Sequence, residues 1–182
     1  MILPIYLFGQ SVLRKATEDV TPETEGITSL ITNMQETLAK AEGCGLAAPQ
    51  VGKSLRLFII DANGMEETYP ECAGFEQVFI NPEILEESAE KIAYDEGCLS
   101  LPGIYESVTR PKTIKIKYLD ANFQEHIETL TDFKARIFQH EFDHLQGHIF
   151  TDRIAPLRKQ FLQTSLNKIA KGKNVPKYKC KV

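Results

Sequence analysis

The sequence predicts an α+β fold in which antiparallel β-sheets wrap around a central helix, with a further helix at the C-terminal end. Three observations predict it. Apolar runs of strand character cluster between residues 55 and 130. The segment that follows, 133–145, is apolar over at least half of a 3.6-residue wheel, which marks a helix buried on most sides. No Pro/Gly/Ser-rich linker or repeat divides the 182 residues, of which 42% are hydrophobic, so one core is expected to serve residues 1–182 as a single domain.

The elements follow in order. Ile27, Leu30, Ile31, Met34 and Leu38 recur at helical spacing and define a helix near 24–42, with Gly43 read as its stop. An apolar strand is expected over Leu55–Asp61, and the irregular acidic stretch 62–77 reads as an exposed loop. Strands follow around 78–95. Ile114, Ile116 and Tyr118 then alternate into a turn at Asp120-Ala121-Asn122, with a partner strand near 123–130. Thr131-Asp132 offers an N-cap for the central helix and Gly147 a stop just past it. A last helix runs from about Pro156 to near Gly172.

The central helix carries the chemistry. Phe133, Ile137, His140, Glu141 and His144 share one side, with Phe138, Phe142 and Leu145 beside them, while Arg136, Gln139 and Asp143 form a narrow polar remainder. Residues four apart lie one above the other, so His140 and His144 can reach one metal ion and Glu141 a water on it. This pattern points to metal-assisted hydrolysis of an amide. The plain alternative is a solvated helix that happens to carry two His. Against it, an imidazole or carboxylate on a buried face needs a partner.

Two imidazoles leave a ligand to find. Zinc peptidases commonly take it downstream, yet residues 145–182 contain no Glu and one acid, Asp152, and position 150 is Phe. His148 is a rival but lies past the expected helix end. Upstream stand four cysteines, Cys44, Cys72, Cys98 and Cys180, with no C-x-x-C pair. Met1-Ile2-Leu3-Pro4-Ile5 is too short for a signal peptide and no segment approaches membrane-spanning length, so free thiols in a reducing cytosol are expected. Cys98 stands out through its context, Glu96-Gly97-Cys98-Leu99-Ser100, where Gly97 frees the backbone at a strand end.

Three segments then stand together: Gly43-Cys44-Gly45-Leu46-Ala47-Ala48-Pro49-Gln50, Glu96-Gly97-Cys98-Leu99-Ser100, and Gln139-His140-Glu141-Phe142-Asp143-His144. In this order the chain resembles the peptide deformylases. Ile2-Leu3-Pro4-Ile5, Val12-Leu13-Arg14-Lys15 and Arg110-Pro111 extend the likeness over most of residues 1–152. The resemblance implies a metallohydrolase that removes the formyl group from the N-terminal formylmethionine of newly made polypeptides and releases formate. It implies that Cys98, His140 and His144 bind one divalent ion, Fe(II) in the cell and zinc, nickel or cobalt in isolated protein. Glu141 would act as general base and then acid for a metal-bound water attacking the formyl carbonyl, and the oxyanion would be held by the metal, the Gln50 amide and the Leu99 N–H.

For substrate binding, Gly43, Cys44, Gly45 and Gly97 are the expected edge for an extended peptide, and Phe133 and Ile137 the pocket for a methionine side chain. As thiols, Cys44, Cys72 and Cys180 are read as structural. Two rivals remain: a metal amidase taking another acyl group, and a non-catalytic holder of peptide N-termini. A holder would not need Gln50, Glu141 and a full ligand set together.

Charge is uneven. The net charge is −4, yet residues 145–182 hold nine Lys/Arg against one acid. Residues 156–182 are therefore a basic helix and tail, either a solvated face or an electrostatic contact to the ribosome. Removing them is expected to weaken ribosome affinity and spare metal binding. Finally, Arg110 and Asp143 are expected to pair and orient the central helix, the alternative being two independent surface charges. No membrane contact and a cytoplasmic location are expected.

Overall fold

A computed structural model describes residues 1–182. Its strands are β1 (Ile5–Tyr6), β2 (Gly45–Ala47), β3 (Leu57–Asp61), β4 (Glu76–Glu87), β5 (Lys91–Cys98), β6 (Leu101–Pro111), β7 (Thr113–Leu119), β8 (Glu125–Thr131) and β9 (Cys180–Lys181). Three helices join them: α1 (Ile27–Ala41), α2 (Asp132–Leu145) and α3 (Pro156–Ala170). β2-β3-β4-β7-β8 form an antiparallel sheet, β5 and β6 an antiparallel hairpin, and β1 and β9 a short parallel pair.

The five-stranded sheet is covered on both faces. Along β3, Leu57 and Ile59 join the core under α1 with Ile31, Met34 and Leu38, while Phe58 and Ile60 join the core under α2 with Ile137 and Phe138. Successive side chains of a strand point to opposite faces, so a strand covered on both sides is apolar without alternation. On the α2 side Phe58, Phe79 and Phe138 pack edge-on and tilted, with centroids 4.9–5.2 Å apart. The β5–β6 hairpin covers α2 from the other side. Arg136 of α2 donates to the carbonyls of Ile92 in β5 and Val108 in β6.

The structure alters several expectations. The polar remainder of α2 is not solvated: Arg136, Gln139 and Asp143 are all buried, because the hairpin encloses that side. Strand pairing over 78–95 is split between two sheets, with β4 in one and β5 in the other. β6 was not foreseen. The stretch 62–77 is not merely an exposed loop, since Cys72 and Phe75 enter the core and Tyr69 stacks on Phe133 at 3.7 Å. The end of α1 takes its left-handed residue at Glu42 (φ 57°) and not at Gly43. Thr131 makes no side-chain cap. Instead the Phe133 N–H donates to Glu71 Oε1 at 3.0 Å.

Residues 156–182 are not a detachable extension. Leu166 and Ile169 are fully buried in the α1-side core, and the tail returns to pair with β1. Deleting them would remove core, so the expectation that metal binding survives that truncation is withdrawn.

Candidate metal centre and active site

β5 carries one side of the site. Alternation along this strand puts Ile92, Tyr94, Glu96 and Cys98 on a common face. At the end the register slips, with Gly97 opposite Tyr105 but Cys98 opposite Leu101. α2 supplies His140 and His144, one turn apart with ring centroids separated by 5.3 Å. The donor atoms of Cys98, His140 and His144 all lie within 4.8 Å of one another, and Cys98 Sγ is 3.4 Å from His144 Nε2.

The three groups hold charge in a way an ion would replace. Burial pushes the Cys98 thiol up, but the charge of His144 and hydrogen bonds from both rings bring it down to about 5. Burial disfavours the His140 cation, yet Cys98 and Glu96 hold its pKa well above the usual value. The other cysteines behave oppositely: burial lifts Cys44 to about 12 and Cys72 to about 11, and raises Cys180. Only Cys98 is poised to be the thiolate that a metal requires. One thiolate and two imidazoles converging on one point are a donor set that fits zinc, iron, cobalt or nickel.

A buried charged cluster fixes the candidate ligands. Glu96 Oε2 lies 2.9 Å from His140 Nδ1. An ionised carboxylate only accepts, so Nδ1 carries the proton and Nε2 is left for the metal side. Glu96 Oε1 accepts from Arg110 Nε at 2.7 Å and Arg136 Nη1 at 2.6 Å. Arg110 Nη1 in turn donates to Asp143 Oδ2 at 2.7 Å, which also accepts from Arg153 Nε at 2.6 Å. Burial pushes Glu96 up, but hydrogen bonds from Arg110 and His140 hold its carboxyl well below the usual range. The Arg110–Asp143 pair is therefore present, with both side chains at most 3% exposed, as part of a cluster and not as surface charges. Glu96, Arg136 and Arg153 were missed by sequence reasoning. The signal for Glu96 was its place two residues before Cys98 on a strand.

Glu141 is buried, and its Oε2 makes no hydrogen bond within the protein. Burial lifts its carboxyl to about 7 against the pull of His140 and His144. Gly45 makes room for it, since a Cβ there would sit 2.4 Å from Glu141 Oε1. Gln50 is oriented by its own turn: Oε1 accepts the Ala47 N–H at 2.8 Å, which turns Nε2 toward Cys98 Sγ at 3.5 Å and Ser100 Oγ at 3.2 Å. The Leu99 N–H finds no acceptor in the chain. A cavity of about 810 Å³ opens on these groups. Gly43, Cys44, Gly45, Gly97, Leu99, Phe133 and Ile137 line it, together with Gln50, Cys98, His140 and Glu141. His144 lies behind the lining. Met65, Tyr105 and Tyr178 also line it and carry no sequence signal.

The chain is similar to known proteins over most of its length. The family model described as polypeptide deformylase matches residues 2–160. A protein of Flavobacterium psychrophilum named peptide deformylase is 42% identical, over 100% of this chain and 97% of its own. The solved peptide deformylase of Thermotoga maritima is 42% identical with a TM-score of 0.77, covering 86% of this chain and 99% of that one. That of Ehrlichia chaffeensis, solved in complex with actinonin, is 34% identical with a TM-score of 0.84, covering 96% and 99%.

Proposed function

The chain belongs to the polypeptide deformylase family, and from that premise we propose how its own residues perform the family's reaction. It is a metal-dependent hydrolase that removes the N-formyl group from the formylmethionine of newly made polypeptides, releasing formate. The observation that carries the assignment of roles is the convergence of Cys98, His140 and His144 beside the unpartnered Glu141 carboxylate.

Cys98, His140 and His144 would hold one divalent ion. Such an ion acidifies a bound water and polarises the formyl oxygen. Glu141 takes the proton of the attacking water and delivers it to the leaving amine; a carboxyl lifted to about 7 is suited to both transfers. The Gln50 Nε2–H and the free Leu99 N–H donate to the oxyanion as charge develops there. Gly43, Cys44, Gly45 and Gly97 receive the peptide backbone, and Phe133 and Ile137 the methionine side chain. We infer Fe(II) as the ion in the cell from the family resemblance, and the donor set would accept zinc, nickel or cobalt in its place.

Residues 1–182 act as one catalytic domain in this reading. No helix is long and apolar enough to cross a membrane, and the four cysteines are unpaired, which supports work in the cytoplasm. The exposed basic residues of α3 and the tail are proposed to meet ribosomal RNA, supported by their charge alone.

The test is formate release from formyl-Met-Ala-Ser against acetyl-Met-Ala-Ser, by protein purified without air and loaded with Fe(II). Hydrolysis of the formyl peptide alone is expected. Glu141→Ala is expected to lower kcat by about 10²–10⁴-fold with the metal content unchanged. A variant as active as the parent would remove Glu141 from the proton transfers.

A further inference from the structure

The turn that carries Cys98 is held by both ends of the chain. Leu99 and Ser100 connect β5 to β6, and neither of their carbonyls is used inside the hairpin. The Ser100 carbonyl accepts the Phe8 N–H at 2.8 Å, and Ser100 Oγ accepts from Gln50 Nε2 at 3.2 Å. The Leu99 carbonyl accepts the Tyr178 O–H at 2.5 Å. Tyr178 arrives from far along the chain. After α3 the tail turns back, Asn174 Nδ2 donates to the Pro102 carbonyl at 3.2 Å, and β9 pairs with β1 through Ile5 N–H to Lys179 O and Leu7 N–H to Lys181 O, both 2.9 Å. The phenol thus sits on the cavity wall at the residue after a metal ligand.

We propose that Tyr178 is a positioning residue for deformylation: its hydroxyl fixes the Leu99 carbonyl and so aims the Leu99 N–H at the developing oxyanion. This rests on the deformylase reading above. The N–H and C=O of one residue flank a single Cα, so anchoring the carbonyl limits how far the amide can swing. Nothing else in the chain restrains that carbonyl. An oxyanion donor is useful only within about 2.7–3.1 Å of the oxygen, and a displacement of about 1 Å can cost about 10²-fold. Substrate binding does not depend on that donor, so the effect falls on kcat.

The experiment is Tyr178→Phe, which keeps the ring on the wall and removes only the hydrogen bond. With formyl-Met-Ala-Ser, kcat is expected to fall about 10- to 100-fold while KM stays within about twofold. Metal content should match the parent, and the melting temperature should fall by no more than the few degrees that one lost hydrogen bond costs. In protein carrying ¹³C-labelled leucine carbonyls, the Leu99 signal should move in the variant with or without metal. Unchanged kcat, or an unmoved Leu99 signal, would overturn the proposal. A fall in kcat that tracks lost metal or partial unfolding at the assay temperature would assign Tyr178 a merely structural role and would also overturn it. A parent protein that releases no formate would instead defeat the deformylase reading itself.

Discussion

Arg110 serves two carboxylates at once, Glu96 on the strand and Asp143 on the helix, and so locks β5 to α2 at the height of His140. Removing it would leave both acids buried without their shared cation, since Arg136 and Arg153 each reach only one of them. Loss of one partner from such a buried cluster typically costs about 3–5 kcal/mol. Arg110→Ala is therefore expected to unfold at clearly lower urea concentration than the parent and to bind zinc more weakly, both read by titration. Unaltered unfolding and zinc affinity would show that Arg136 and Arg153 suffice. At this scale the sequence was informative where one helix sets the spacing: His140, Glu141 and His144 are one turn of α2. Glu96 was hidden because its partners lie 14 to 44 residues away, and only the docking of β5 on α2 brings them together.

The entry to α2 depends on an element that composition disguised. The acidic segment before β4 supplies Glu71, which accepts the Phe133 N–H, and Tyr69, which stacks on the Phe133 ring. The first-turn amides of a helix need such acceptors, and losing a cap costs about 0.5–2 kcal/mol. Glu71→Ala is expected to lower the melting temperature by roughly 2–4 °C per kcal/mol lost, measured by calorimetry. An unchanged melting temperature would mean that water caps the helix equally well. Helix α1 and the β7–β8 hairpin were legible because their periodicities are local, and α3 because Pro156 marks its start and Gly172 its end. β6 was not, since its buried face reads Ile104, Glu106, Val108, Arg110 and two charges break the apolar alternation. Those charges are buried because Arg158 and the Glu96 cluster meet them, which is a tertiary fact.

Across the whole molecule, Asp152 gathers distant segments. It accepts from Arg14 near the N-terminus, from Lys159 of α3 at 2.8 Å and from the Ile149 N–H at 3.0 Å. Burial pushes its carboxyl up, but Arg14 and Lys159 hold it well below the usual range. A carboxyl depressed in the folded state adds stability above its unfolded pKa of about 3.9 and loses it as pH falls toward the folded value. Arg14 and Lys159 are each 42% exposed, so solvent limits the gain to about 1 kcal/mol or less. Asp152→Asn is thus expected to be less stable than the parent at pH 7, with the gap closing below about pH 4; urea unfolding across that range checks it. A gap independent of pH would point to the lost hydrogen bonds alone.

The pairing of β1 with β9 also bears on the order in which the enzyme comes into being. Every residue given a part in the proposed reaction precedes Tyr178 in the chain, and the amides of Ile5 and Leu7 must wait for the carbonyls of Lys179 and Lys181. A growing copy that has already made its thiolate and both imidazoles still lacks the strand that pairs with β1. The first strand of the chain is thus paired only when a segment that follows every residue of the site has been made, so the two ends close the fold together.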